Sequence, residues 1–322
     1  MNWQPTAGFD TIRRRAKLLA DIRHFFDERQ VLEVTTPALS PAGTTDPNIQ
    51  SITLNLRASP QQPLRYLHTS PELAMKRLLA AGSGPIYQLC TVFRDNPLGR
   101  FHRPEFTMLE WYRPGWQYHA LIAEVLALIG AAAYEIKFAE PQRLSYRELF
   151  RQYAGLDPVQ ATADDCRETC RRNDLPVAAS MTADIDEWLD WILSALVAPR
   201  LPTDRLTCVY DFPPTQAALA RIRADSSPVA ERFEIFWGAL ELANGFQELT
   251  NPEEQQRRFV QDNLKRRQKG FPEIRIDEYF LAAMQAGLPE SAGVALGVDR
   301  LLLAITGAGH IREVVAFADD NE

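Results

Sequence analysis

Residues 93–112 read FRDNPLGRFHRPEFTMLEWY, and the fold turns on how this stretch is taken. Asn96, Pro97, Gly99 and Pro104 are turn formers, so the spacing predicts strand, loop and strand. The incoming strand, 87–93, is rich in aromatic and branched residues. A period of two puts Cys90, Val92, Arg94 and Asn96 on one face. The same period lines up Phe106, Met108, Glu110 and Tyr112 on the return strand. The hairpin thus carries a guanidinium, an aromatic ring, a carboxylate and a phenol, with Arg100, His102 and Arg103 at its tip. That set suits a phosphorylated, planar ligand beside an amine. A single hairpin of this kind can equally be the polar face of a sheet, so other segments decide its reading.

The chain has 322 residues, of which 46% are hydrophobic and 24% charged, a globular balance. With 35 basic against 42 acidic residues the net charge is −7, which gives no broad basic surface for nucleic acid. Cys90, Cys166, Cys170 and Cys208 do not make a disulfide framework at this length; Cys166 and Cys170 fit one helix face, as buried or surface thiols rather than as a metal pair. Arg13, Arg14, Arg15 and Lys17 lie in an amphipathic stretch with no signal-peptide pattern. The longest apolar run, 125–134, is too short to span a bilayer. A reducing, cytoplasmic setting is expected.

In chain order, residues 9–29 predict a helix with Asp10 as N-cap, and 31–37 (VLEVTTP) a short strand closed by Pro37. Residues 38–50 read as loop, with strands at 51–56 and 64–68. Ser70 and Pro71 open a helix as N-cap and first helical residue. Helices are expected at 117–133, 144–154, 161–172 and 185–195, and 115–203 reads as a helical insertion or flank without chemistry. Strands follow at 205–212 and 229–237. Residues 252–269 predict a charged, solvated helix, and 277–286 another. Residues 293–300 are a glycine-spaced strand running into an apolar helix.

Three segments, in this order and at these separations, agree. The helix at 9–29 with the strand ending at Pro37 resembles motif 1 of class II aminoacyl-tRNA synthetases. Residues 93–112 resemble motif 2, and GVALGVDR (293–300) resembles motif 3. ELANGFQEL (241–249) is similar to the amino-acid pocket of class II lysyl-tRNA synthetases. The resemblance runs from about residue 10 to the end. It implies an α+β, class II synthetase-like catalytic domain over 1–322, a mostly antiparallel sheet flanked by helices and dimeric through motif 1. The motif 1 helix begins so near the first residue that no N-terminal anticodon-binding domain is expected. In this, and in TSPELAMKRLL (69–79), EFTMLEWYRPG (105–115) and GVALGVDRL (293–301), the chain resembles the truncated lysyl-tRNA synthetase paralogues that modify elongation factor P.

That resemblance implies ATP-dependent activation of lysine or (R)-β-lysine as an aminoacyl-adenylate. Transfer to the ε-amino group of a lysine on elongation factor P would follow, with neither tRNA nor a membrane as partner. Arg94 and Arg300 match the catalytic arginines: Arg94 on the α-phosphate and substrate carboxylate, Arg300 over adenine opposite Phe106. His102 matches a residue of the outer phosphates. Asn96 stands where a glutamate commonly meets the adenine amino group, keeping the acceptor but losing the charge. Glu234 and Glu241 match the ligands of Mg²⁺ on the nucleotide, and Asn244 lies near the substrate carboxylate or the metal. Ser70 precedes Glu72, which matches the carboxylate for one ammonium; Tyr112 and Glu248 match the pair for the side-chain ammonium. Two acids for two ammonium groups fit a diamino acid and disfavour acidic ones. Ala295 replaces a glycine beside the pocket, and its methyl is expected to favour the β-isomer. A truncated synthetase acting on tRNA, and a non-catalytic binding regulator, are the alternatives at this point.

Overall fold

Leu18, Ile22, Phe25 and Phe26 fall on one side of the first helix, and all four are buried. The elements run α1 (Phe9–Asp27), β1 (Leu32–Glu33), β2 (Leu39–Ser40), β3 (Thr53–Asn55), β4 (Leu64–Leu67), α2 (Glu72–Ala80), β5 (Ile86–Phe93) and β6 (Glu105–Pro114). Then come α3 (Tyr118–Ala132), β7 (Gln142–Ser145), α4 (Tyr146–Tyr153), α5 (Ala163–Arg172), α6 (Ile185–Ile192), β8 (Leu206–Phe212), β9 (Ile222–Arg223), β10 (Val229–Trp237) and β11 (Leu240–Gln247). The chain ends with α7 (Pro252–Gln268), α8 (Glu278–Gly287), β12 (Ser291–Gly297) and α9 (Val298–Thr306). The computed structural model describes residues 3–58, 60–61, 64–178, 181 and 184–318. The extreme ends of the domain expected over 1–322, and positions 179–180 and 182–183 of the expected helical block, lie outside the described residues. Two compact units divide the chain, one from residues 1–116 and 249–322, the other from 117–248.

In the first unit the expected hairpin is present as antiparallel β5 and β6, with Gln88 opposite Glu110 and Val92 opposite Phe106. β12 pairs antiparallel with β6, setting Gly293 opposite Tyr112 and Ala295 opposite Glu110. β1 joins β5 in parallel, and β2, β4 and β3 make a small sheet of their own. The strand expected over 31–37 contracts to β1; beyond it Val34 N–H still donates to the Tyr87 carbonyl (2.8 Å), and Pro37 has no donor to offer. Phe26 of α1 stacks on Tyr87 (4.4 Å) and meets Trp111 edge-on (5.4 Å), rings whose burial contributes about 2 kcal/mol apiece.

An ionic triangle ties this unit together. Arg15 Nη1 donates to Asp299 Oδ1 (2.5 Å) and Arg15 Nη2 to Thr107 Oγ1 (2.6 Å). Thr107 N–H donates to Asp299 Oδ2 (3.0 Å). Helix α1, strand β6 and helix α9 are thereby fixed at one buried point, with Asp299 in the first turn of α9 where the helix dipole favours a negative charge.

Local readings change in several places. Gly8, not Asp10, is the N-cap of α1; Asp10 lies in the first turn and accepts from Arg13 (2.9 Å). Helix α2 starts at Glu72 with Pro71 as its cap, yet Ser70 Oγ still accepts from Glu72 N–H (3.0 Å). Arg300 lies in the first turn of α9 rather than at a strand end. Helix α7 is not a solvated rod. Its Arg266 is 1% exposed and donates to Asp46 O (2.9 Å), Ile49 O (3.3 Å), Gln50 Oε1 (2.9 Å) and Pro272 O (3.0 Å). Asp262 and Lys269 on the same helix side hold Thr45 (3.0 Å) and Asn48 (3.1 Å), strapping the 45–50 loop to α7.

The second unit orders its strands β11, β10, β8 and β7, with β9 beside β10 and only β7–β8 parallel. Strand β7 stands where a helix was expected from residue 144. Ser145 ends it and opens α4 through a capping box with Glu148. Thr162 and Asp165 do the same for α5, and α6 passes into a π-helical turn (Leu193–Val197). Trp188, Phe150, Phe212, Cys166 and Cys170 share one apolar core, so the two cysteines are packing residues. Tyr118 N–H donates to the fully buried Gln247 Oε1 (2.9 Å), joining the first and last elements of the unit. Antiparallel pairs dominate both units, which makes the fold α+β. Among the described residues, no helix is long and apolar enough to cross a membrane.

Asp299→Ala strands the Arg15 charge beside β6 and is expected to cost about 3 kcal/mol. Replacing both partners, Arg15→Met with Asp299→Leu, is expected to recover most of that loss. Thermal unfolding measures both, and a midpoint for Asp299→Ala within about one degree of the parent would show the triangle to be idle.

Candidate functional site

At the hairpin end of the first unit, Arg94 Nε donates to Thr69 O (3.3 Å) and its guanidinium lies over the Phe106 ring, 5.2 Å from the centroid. Arg94 N–H closes the loop on Pro104 O (2.8 Å). Gly99 and His102 bridge the tip. Arg300 Nη2 donates to His102 Nε2 (2.7 Å) and its Nε to Phe101 O (3.4 Å), so the first turn of α9 reaches the hairpin loop. Asn96 Oδ1, expected to face a ligand amino group, accepts from Gln50 N–H (3.3 Å) on the strapped loop. Arg100 is a structural residue here: its Nε donates to Gly309 O (2.6 Å), and its carbonyl accepts from Ile311 N–H (3.0 Å).

Deeper along β6 sits Glu110, 2% exposed. Ser70 Oγ donates to its Oε2 (2.7 Å), and the Tyr112 hydroxyl donates to its Oε1. Tyr112 reaches it because residues two apart share a strand face. Burial, and then the charge of Glu72, push the Glu110 carboxyl up to about 8, against the pull of Tyr112, Ser70 and Lys76. Glu72 projects from the first turn of α2 and accepts from Lys76 Nζ (2.6 Å), four residues on and 1% exposed. Ala295, half-buried, lies directly opposite Glu110 on β12. A guanidinium over a ring thus stands at one end of the face, and a carboxylate, phenol and hydroxyl cluster at the other.

The second unit carries its own oxygen set. Glu234 on β10 is opposite Asn244 on β11. Arg232 Nη2 donates to Glu234 Oε1 (2.5 Å). Burial raises the Glu234 carboxyl; Arg232 opposes the rise and the charge of Glu241 adds to it. Asn244 Oδ1 is buried with no hydrogen-bond donor. Two mutually repelling carboxylates and one unsatisfied amide oxygen are a hard donor set, which fits Mg²⁺. No group of three or more His, Cys, Asp or Glu converges among the described residues, so such an ion would take further ligands from phosphate and water. Glu248 is 1% exposed and bridges to Ala220; Arg221 N–H beside it donates to Gln247 O (2.8 Å).

The family described as tRNA synthetases class II (D, K and N) matches residues 6–321. The chain belongs to the class II tRNA synthetases. Curated relatives agree over nearly the full length. A protein of Histophilus somni (strain 2336) named elongation factor P–(R)-β-lysine ligase is 47% identical over 99% of this chain and 98% of its own. Proteins of the same name from Pasteurella multocida (strain Pm70) and Haemophilus influenzae (strain ATCC 51907) are 46% and 45% identical, with the same coverage.

The hairpin, the strand at 229–237 and the passage from the 293–297 strand into α9 are where the sequence placed them; β11 (Leu240–Gln247) and its pairing with β10 were not expected. Glu110 was placed on the correct face without a role. Its signal was a carboxylate between Leu109 and Trp111, inside a strand too apolar to be exposed, two residues from a tyrosine. Lys76 carried no comparable signal, because a lysine four residues after a glutamate reads as a surface pair.

The folded pKa of Glu110 lies above its ordinary value, so its contribution to stability is full below about 4.5 and is lost as pH rises through about 8. Glu110→Gln removes that dependence. The variant is expected to melt above the parent by a margin that widens from pH 5.5 to 8.5, at most about 1.4 kcal/mol per pH unit. A constant difference between the two would contradict the buried, protonated reading.

Proposed function

We propose that this chain activates (R)-β-lysine with ATP and transfers it to a lysine of elongation factor P, a reading supported by relatives named elongation factor P–(R)-β-lysine ligase. The observation that carries the reading is the buried Glu110, held by Ser70 and Tyr112 beside the Glu72–Lys76 pair. Uncompensated negative charge is expensive to bury, and an ammonium group offsets it. Two carboxylates in one unit, with Glu248 as a third, answer to a ligand with two amino groups.

In this reading the substrate carboxylate attacks the α-phosphorus of ATP and pyrophosphate leaves. Arg94 aligns carboxylate and phosphate, and its planar fork holds both through directed hydrogen bonds. Phe106 and Arg300 cover the adenine faces, Asn96 sits at its edge and His102 meets the outer phosphates. Glu234 and Glu241, with Asn244, would hold Mg²⁺, which supplies neutralisation of phosphate charge. Glu110, Glu72 and Ser70 fix one ammonium, and Tyr112 and Glu248 take part in holding the other. The acceptor ε-amine then attacks the activated carbonyl carbon, AMP leaves and the nitrogen sheds its proton. We take the enzyme to be a cytoplasmic homodimer that does not use tRNA.

Ala295 supports the choice of isomer. Its methyl stands opposite Glu110, on the strand next to the carboxylate that meets the amino group. Moving that amino group one carbon along the chain repositions it relative to this wall.

ATP–pyrophosphate exchange is expected with lysine isomers, with the lower KM for (R)-β-lysine, and to fall at least about 100-fold in Arg94→Ala, the loss of one directed charge contact. Ala295→Gly is expected to narrow the isomer preference about ten-fold; an unchanged ratio would sink the role of the methyl. Purified elongation factor P incubated with enzyme, ATP and (R)-β-lysine should gain the mass of one lysyl group. Charging of total tRNA without such a gain would transfer the reading to a truncated tRNA-charging enzyme.

A further inference from the structure

Gln88 lies on β5 directly opposite Glu110, and Ala295 lies opposite Glu110 on β12. These residues form one row across adjacent strands, and directly opposed residues in an antiparallel pair point to the same face. Gln88 is 2% exposed, yet its side-chain carbonyl Oε1 has no hydrogen-bond donor in the protein. A buried acceptor left unsatisfied destabilises the fold that holds it. The fold makes no use of this carbonyl, and a methionine has the same length without it.

Neighbouring groups do not supply a donor. Ser70 and Tyr112 direct their hydroxyls to the two oxygens of Glu110. Lys76 Nζ is directed to Glu72 Oε1 (2.6 Å). Along β5 the next residue on this face is Cys90, whose sulfur takes a hydrogen bond from the Gln88 side chain, which leaves only the carbonyl end of the amide without a partner. The row therefore joins a carboxylate to an unspent carbonyl, with a small methyl on its other side.

An ammonium group has three N–H donors and needs three acceptors when it leaves water. A carboxylate satisfies its charge but rarely all three directions. We propose that Gln88 is a substrate-binding residue, its Oε1 accepting a hydrogen bond from the same substrate ammonium that Glu110 neutralises. The inference rests on the amino-acid-activating reading above and adds to it a neutral acceptor that selects a protonated primary amine at this point of the pocket. A hydroxyl or methyl substituent in the same place offers fewer donors and leaves the carbonyl unsatisfied.

The orphaned carbonyl gives the test opposite signs for folding and binding. Gln88→Met deletes the unsatisfied acceptor, so the free protein is expected to melt at or above the parent's midpoint. In ATP–pyrophosphate exchange the same variant is expected to raise the KM for (R)-β-lysine about ten-fold and to leave the KM for ATP within about two-fold, the effect of one hydrogen bond to a charged group. Gln88→Leu serves as the second variant and should behave alike. An unchanged amino-acid KM, a parallel rise in both KM values, or a lowered midpoint with normal kinetics would each overturn the proposal. Absence of exchange in the unsubstituted protein would instead overturn the activation reading, and this inference with it.

Discussion

Burying a carboxylate without a full counter-charge is the constraint on which the first unit is organised. Glu110 sits in the middle of β6, where the strand is otherwise apolar, and its neighbours exist to make that position tolerable. Ser70 is delivered by the turn before α2, and Tyr112 by strand periodicity. The nearby Lys76 is itself buried and committed to Glu72. The result is a pocket that is polar, desolvated and close to neutral until a cation arrives. In the proposed function a ligand ammonium would meet pre-oriented acceptors instead of having to reorganise them.

Adjacent residues of one segment divide scaffold and site between them. Asp299 points into the protein and locks α1 and β6 through Arg15 and Thr107. Arg300, the next residue, reaches the hairpin loop at His102. The first turn of a helix makes this division simple, since successive side chains project about a quarter-turn apart. The arginine that would contact the nucleotide is thus mounted directly on the buried ionic triangle. A similar economy places Gln50 between a buried Arg266 on one side and Asp95 and Asn96 of the hairpin on the other.

Much of this was legible in the sequence, and the exceptions have physical causes. The hairpin declared itself through turn residues and a period of two, and the family through three ordered motifs. Element ends were less visible. Residues 142–145 pair as a strand because β8 offers them a parallel edge, which no local pattern encodes. The 31–37 strand was over-read because its ladder covers Leu32 and Glu33, with one further bond from Val34 N–H. Helix α7 looked solvated because basic and acidic residues alternate along it, yet Arg266 is drawn inward by backbone carbonyls of a loop more than two hundred residues earlier. Glu110 was visible as a residue and invisible as a site, because its significance comes from Ser70 and from burial, both of which are tertiary.

The bond from Tyr118 N–H to Gln247 Oε1 has a consequence for how such a protein can be assembled. The second unit occupies a continuous run of the chain, and its first helix and last strand are fastened to each other internally. A segment closed in this way behaves as a cassette. Its two ends therefore lie close together, the geometry that best tolerates insertion into another chain. Glu234, Glu241, Asn244 and Glu248 all travel inside it. A change of this run of the chain would thus alter those four groups together and leave Glu72 and Glu110 in place.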